Sequence, residues 1–115
     1  MHRQEQLKGN TDTLLLALLE SEPMYGYQIV KEADQRSSGY FAFKEGTLYP
    51  ALHRLERDKL VDGRWQETPS GTRRRYYQIT PKGLQALADR LKEWQRFTHA
   101  MNSIMLPEPE QGLGD

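Results

Sequence analysis

The stretch EGTLYPALHRLERDKLV, residues 45–61, decides the fold. Leu48, Leu52 and Leu55 recur at spacings of four and three, the repeat of one helix face, and Tyr49, His53 and Arg54 are directed partly away from that row. Pro50 lacks an N–H, and its ring would crowd the carbonyl of Gly46 four residues back. The helix must therefore begin close to Gly46, and a start near Thr47 makes Pro50 a first-turn residue. Its end falls at about Asp58. Residues 60–68 and 74–79 then read as two strands anchored by Val61, Trp65, Tyr77 and Ile79. Thr68-Pro69-Ser70-Gly71-Thr72 between them is turn chemistry, so the strands form a hairpin with a polar, flexible tip.

Upstream lie two more helices. Asn10 or Thr11 can cap the first and Asp12 suits its positive end. Leu14, Leu15, Leu16, Leu18 and Leu19 make it apolar nearly all round, as befits the centre of a small core. The second spans about residues 25–37, with Ile29, Val30 and Ala33 on one face and Gly39 free to turn left-handed past its end. Phe41 and Phe43 share a face if the connector that follows is extended. Downstream of the hairpin, Thr80 is an N-cap with Pro81 at the first helical position. The row Leu84, Leu87, Leu91, Trp94, Thr98, Met101, Met105 carries that helix from Pro81 to about Met105, a length of about 37 Å.

Helix, helix, helix, hairpin is the order of a winged helix-turn-helix, whose third helix enters the major groove of DNA while the hairpin lies along the backbone. The expected fold class is mainly α with a small β-hairpin: a winged helix-turn-helix over residues 1–80, a dimerisation helix over residues 81–106, and a disordered tail over residues 107–115. A domain of about 80 residues cannot cover the whole apolar face of the last helix. The simplest partner is a second copy, packing Leu84, Leu87, Leu91, Trp94 and Met101 across a two-fold axis.

Charge placement agrees with a DNA-reading head. Sixteen basic and sixteen acidic residues in 115 leave a formal net charge of zero, which excludes an indiscriminate polycation. Residues 44–76, however, hold eight basic residues against five acidic ones, and both flanks are net acidic. Phosphate contact is expected from Lys44 and from Arg73, Arg74 and Arg75, although strand alternation sends Arg74 the other way from its neighbours. The competing role for the arginine run is a solvated edge strand protected by charge. Thr47, Tyr49 and His53 are candidates for groove contact, with half-buried packing the alternative for Tyr49. Arg54 and Glu56 are assigned to ion pairs, since the far end of a recognition helix leaves the groove. At the second helix, Tyr25 suits a phosphate and Tyr27 the core.

LKGNTDTLLLALLE (residues 7–20), YGYQIV (residues 25–30), EGTLYPALHRLERDKLV and TRRRYYQITPKG (residues 72–83) together resemble, in order and spacing, the PadR family of bacterial transcriptional regulators. The resemblance implies a winged helix-turn-helix, dimerisation through the C-terminal helix, and a repressor of inverted-repeat operators. It is to the compact branch, with a single C-terminal helix, and some compact members stack planar aromatic drugs on a tryptophan of that helix. Trp94 stands at the similar place, where it is either such a platform or an ordinary dimer-core ring. One departure is Lys59-Leu60, where the family usually has Gly before the apolar pair, so Lys59 must leave the helix in another way.

Other classes fit less well. There is no Gly-x-Ser-x-Gly elbow, P-loop or dinucleotide glycine fingerprint, so an enzyme is not expected, nor a cofactor. His2, His53 and His99 are too scattered for a metal site, and no cysteine is present. The longest apolar run, residues 14–19, is far short of the roughly twenty residues of a membrane span, and residues 1–10 do not read as a signal peptide. The expectation is a cytoplasmic homodimer with duplex DNA as partner and no membrane contact. The alternative is a winged-helix module for protein–protein contact, told apart by the basic third helix and wing.

Overall fold

The computed structural model describes the backbone of residues 2–106 and the side chains of residues 10–106. The tail expected at residues 107–115 lies outside them. The elements run α1 (His2–Ser21), β1 (Met24–Tyr25), α2 (Gly26–Arg36), α3 (Glu45–Arg57), β2 (Val61–Glu67), β3 (Arg73–Ile79) and α4 (Pro81–Met105). This is the expected mainly helical winged fold, with a sheet of three antiparallel strands ordered β1-β3-β2. In the hairpin Val61 faces Ile79, Gly63 faces Tyr77 and Trp65 faces Arg75. The short β1 adds Met24 opposite Tyr77 and Tyr25 opposite Tyr76. Two residues are too few to show strand alternation, and β1 is absent from the sequence reading for that reason.

The core forms where the leucine rows meet. Leu15, Leu16 and Leu19 of α1, Ile29 and Ala33 of α2, and Leu48, Ala51, Leu52 and Leu55 of α3 are buried together with Met24, Val61 and Tyr77. Phe41 and Phe43 pack against this cluster from one side of the connector. Helix α1 begins well before Asn10 and Thr11, which stand inside it rather than at its cap. Residues 4–8, Gln-Glu-Gln-Leu-Lys, are good helix formers and let it extend.

Two helix ends set the geometry of the wing. Lys59 takes φ +62°, Leu60 N–H donates to the Leu55 carbonyl at 2.9 Å, and Lys59 N–H donates to the Glu56 carbonyl at 3.0 Å. That is a left-handed C-terminal cap of the kind glycine usually makes, here built with lysine. The start of α4 is fastened to the same corner: the Thr80 hydroxyl accepts from Gly83 N–H at 3.0 Å and donates to the Lys59 carbonyl at 2.7 Å. Gly83 lies so close that a Cβ there would come within 2.1 Å of the Leu60 carbonyl oxygen.

Pro50 is not in the first turn. Helix α3 starts at Glu45 with Lys44 as its N-cap, which places Pro50 in the second turn. The carbonyl it cannot bond belongs to Gly46, an exposed residue where water can take the place of the missing N–H. Past Leu87 the row on α4 turns outward: Leu91, Trp94, Phe97, Met101 and Ile104 are all exposed.

Candidate nucleic-acid interface

Helix α2, helix α3 and the hairpin enclose a groove of about 420 Å³. It brings together Tyr25, Tyr49, His53, Arg73, Arg74 and Arg75, with Gly26, Trp65 and Tyr77 completing the wall. Lys44 and Thr47 lie outside this groove, exposed at the N-terminal end of α3. Trp94, Leu84, Leu91 and Met101 belong to another surface, the outer length of α4, whereas Leu87 is buried in the core.

Strand alternation divides the arginines as the period of two requires. Arg73 and Arg75 flank the Trp65 ring, their guanidinium carbons 5.2 and 5.6 Å from its centroid. Arg74 emerges on the opposite face and lies 4.4 Å over the Tyr25 ring, which also meets Tyr76 edge-on at 5.3 Å. Each contact uses an aromatic face to hold a cation. Tyr25 is the N-cap residue of α2, and its N–H donates to the Gln28 side-chain oxygen at 3.1 Å. Tyr49 is 37% exposed, with its hydroxyl over Gly26; a Cβ at Gly26 would fall 2.3 Å from that oxygen. Burial pushes the Tyr77 phenol up, so it stays protonated beside Arg75.

Ion pairing sorts the eight basic residues of this segment. Arg54 donates to Asp12 at 2.8 Å, Arg57 to Asp58 at 3.1 Å, Arg64 to Asp62 at 3.2 Å, and Arg75 to Glu56. The ion-pair assignment of Arg54 and Glu56 therefore holds, with Arg54 fastening α3 to α1. Among the described residues of this segment, Lys44, Lys59, Arg73 and Arg74 make no such pair and are exposed, Lys59 at the far end of α3 beside the start of α4.

Two assignments need correction. Tyr27 is 66% exposed rather than in the core, because Gly26, Ile29 and Ala33 form the buried face of α2 and position 27 lies off it. Trp65 is 55% exposed and anchors no core; it stands where the hairpin has left the helices, and its ring neighbours are Arg73 and Arg75. The cross-strand pairing of Trp65 with Arg75 is the signal that could have found it, given the register.

Residues 15–89 match the sequence profile of the transcriptional regulator PadR-like family. The chain is similar to an uncharacterised protein of Lysinibacillus sphaericus, 31% identical over 105 residues that make up 91% of this chain and 96% of that one. Among solved structures it is similar to a transcriptional regulator from Clostridium thermocellum, with a TM-score of 0.79 and 32% identity over 88% of this chain and 98% of that one. It is also similar to a PadR-like transcriptional regulator from Bacillus cereus, with a TM-score of 0.77 and 29% identity over 90% and 99% of the two chains.

Proposed function

The chain belongs to the PadR-like family of transcriptional regulators, and from that premise we propose that it is a homodimeric repressor binding an inverted-repeat operator in duplex DNA. The observation that carries this reading is the grouping of unpaired cations: Lys44 at the start of α3 and Arg73 and Arg74 on the wing bracket the exposed Thr47 and His53. Lys44, Arg73 and Arg74 contact phosphates and set affinity, with Tyr25 adding a hydroxyl. Thr47, His53 and the edge of Tyr49 face base edges and set sequence.

The exposed stripe Leu84, Leu91, Trp94 and Met101 supports pairing of two α4 helices, since an apolar row of this length is left uncovered by the chain's own core. Such a pair spaces the two α3 helices for half-sites one turn apart, about 34 Å. The same stripe supports release by a small aromatic ligand, because Trp94 and Phe97 stack at 5.8 Å and both rings are about half exposed. To act as an inducer, that ligand must bind the DNA-free spacing of the dimer better than the DNA-bound one.

Selection of bound sequences from a random duplex pool tests the main reading. A symmetric enriched site with two half-sites is the expected result; no enrichment over the starting pool would defeat it. Ligand quenching of tryptophan fluorescence in the wild type that persists undiminished in Trp94→Phe would remove Trp94 from the effector site, because Trp65 would then be the reporter.

A further inference from the structure

Arg75 is held unlike its neighbours in the arginine run. Its guanidinium donates to Glu56 of α3 and lies 5.6 Å from the Trp65 centroid and 5.9 Å from that of Tyr77. It rests in the notch left by Gly63, where a Cβ would come within 2.7 Å of Nε. Both partners of the ion pair are mostly covered, at 29% and 30% exposure. The place matters as much as the contact. From Arg64 on β2 and before Arg75 on β3 the strand residues are exposed, so Arg75 sits where the hairpin leaves the core.

We propose that Arg75 is a positioning residue: with Glu56 it forms a strut that fixes the angle of the wing against α3, and it does not neutralise a phosphate. This rests on the DNA-binding reading above. A guanidinium bonded to a carboxylate adds no net charge to the surface, and it must give up that bond before it can displace counterions from DNA. What the pair supplies is direction. A planar cation held by a carboxylate, two rings and a glycine notch has one orientation available, and a small rotation at that point becomes a larger displacement at the hairpin tip. A correct operator must be met by α3 and wing together, whereas a random duplex need only offer phosphates. The strut therefore contributes to discrimination between the two.

The test uses the full chain, its selected site and a random duplex, across a salt series. Arg74→Gln, a phosphate contact, is expected to lower the salt slope by about two per dimer, at about 0.9 for each lost contact. Arg75→Gln and Glu56→Gln should each narrow the ratio of specific to random affinity by about tenfold, the scale of a charged hydrogen bond. Combining Glu56→Gln with Arg75→Gln removes both charges and leaves two amides able to bond. That variant should keep the wild-type slope and recover part of the ratio. A slope lowered as far as in Arg74→Gln would make Arg75 a phosphate contact, and single variants with an unchanged ratio would leave no strut. Arg75→Lys guards against misfolding: a strut predicts a narrowed ratio with the slope kept, a phosphate contact keeps both. A wild type bound without steep salt dependence overturns the DNA-binding reading itself, and the strut with it.

Discussion

Lys59→Gly should make the protein more stable, and the size of the gain can be worked from the helix end. Lys59 sits at φ +62°, a conformation that costs a residue with a β-carbon about 1–2 kcal/mol. Glycine removes that cost but returns about 0.5–1 kcal/mol through the greater freedom of its unfolded chain. The net is a stabilisation of about 0.5–1 kcal/mol, or about 2–6 °C in Tm for a domain of this size. Nothing else should be lost, because the Lys59 side chain is exposed and its carbonyl, which accepts from Thr80 at 2.7 Å, is kept. Lys59→Ala is the control, since it removes the charge and keeps the β-carbon. The assay is thermal unfolding by circular dichroism at one fixed protein concentration, because the dimer proposed above would make Tm depend on concentration. A Tm for Lys59→Gly no higher than that of Lys59→Ala would refute the reasoning.

Gly83→Ala should destabilise by about 1–3 kcal/mol or more, read as a lower denaturant midpoint, because the new carbon meets backbone that has no room to move. Arg54→Ala leaves Asp12, whose side chain is 15% exposed, without its partner; the expected loss is about 1–3 kcal/mol with the salt slope of DNA binding unchanged. Leu91→Glu places a charge in the uncovered stripe of α4. Sedimentation equilibrium should show it shifted to monomer, and a dimer as tight as the wild type would remove that stripe from the interface.

Elements with many repeats were readable from residue order alone. The α4 row gave its span to the residue, and the leucines of α3 correctly named the buried face. The wing was legible because two strand-like runs flank an unmistakable turn. What could not be read were features that depend on elements far apart in the chain. The bond between Arg54 and Asp12 crosses 42 residues, and no local pattern announces it. Tyr25 was singled out as a helix N-terminal residue, yet its use as a seat for Arg74 depends on β1 pairing with β3. Composition could count the basic excess of residues 44–76 but not separate it. The structure does so, assigning Arg54, Arg57, Arg64 and Arg75 to carboxylates and leaving Lys44, Lys59, Arg73 and Arg74 unpaired, of which Lys59 caps the far end of α3.

That separation turns the central claim into one number, the dependence of duplex affinity on salt. Lys44, Arg73 and Arg74 in each of two subunits predict about six phosphate contacts and a slope of log affinity against log salt of about −5. Arg74→Ala should reduce its magnitude by about two on the selected site and on random DNA alike. A wild-type slope near zero, or a slope untouched by Arg74→Ala, would contradict the claim that this face of α3 and the wing binds DNA.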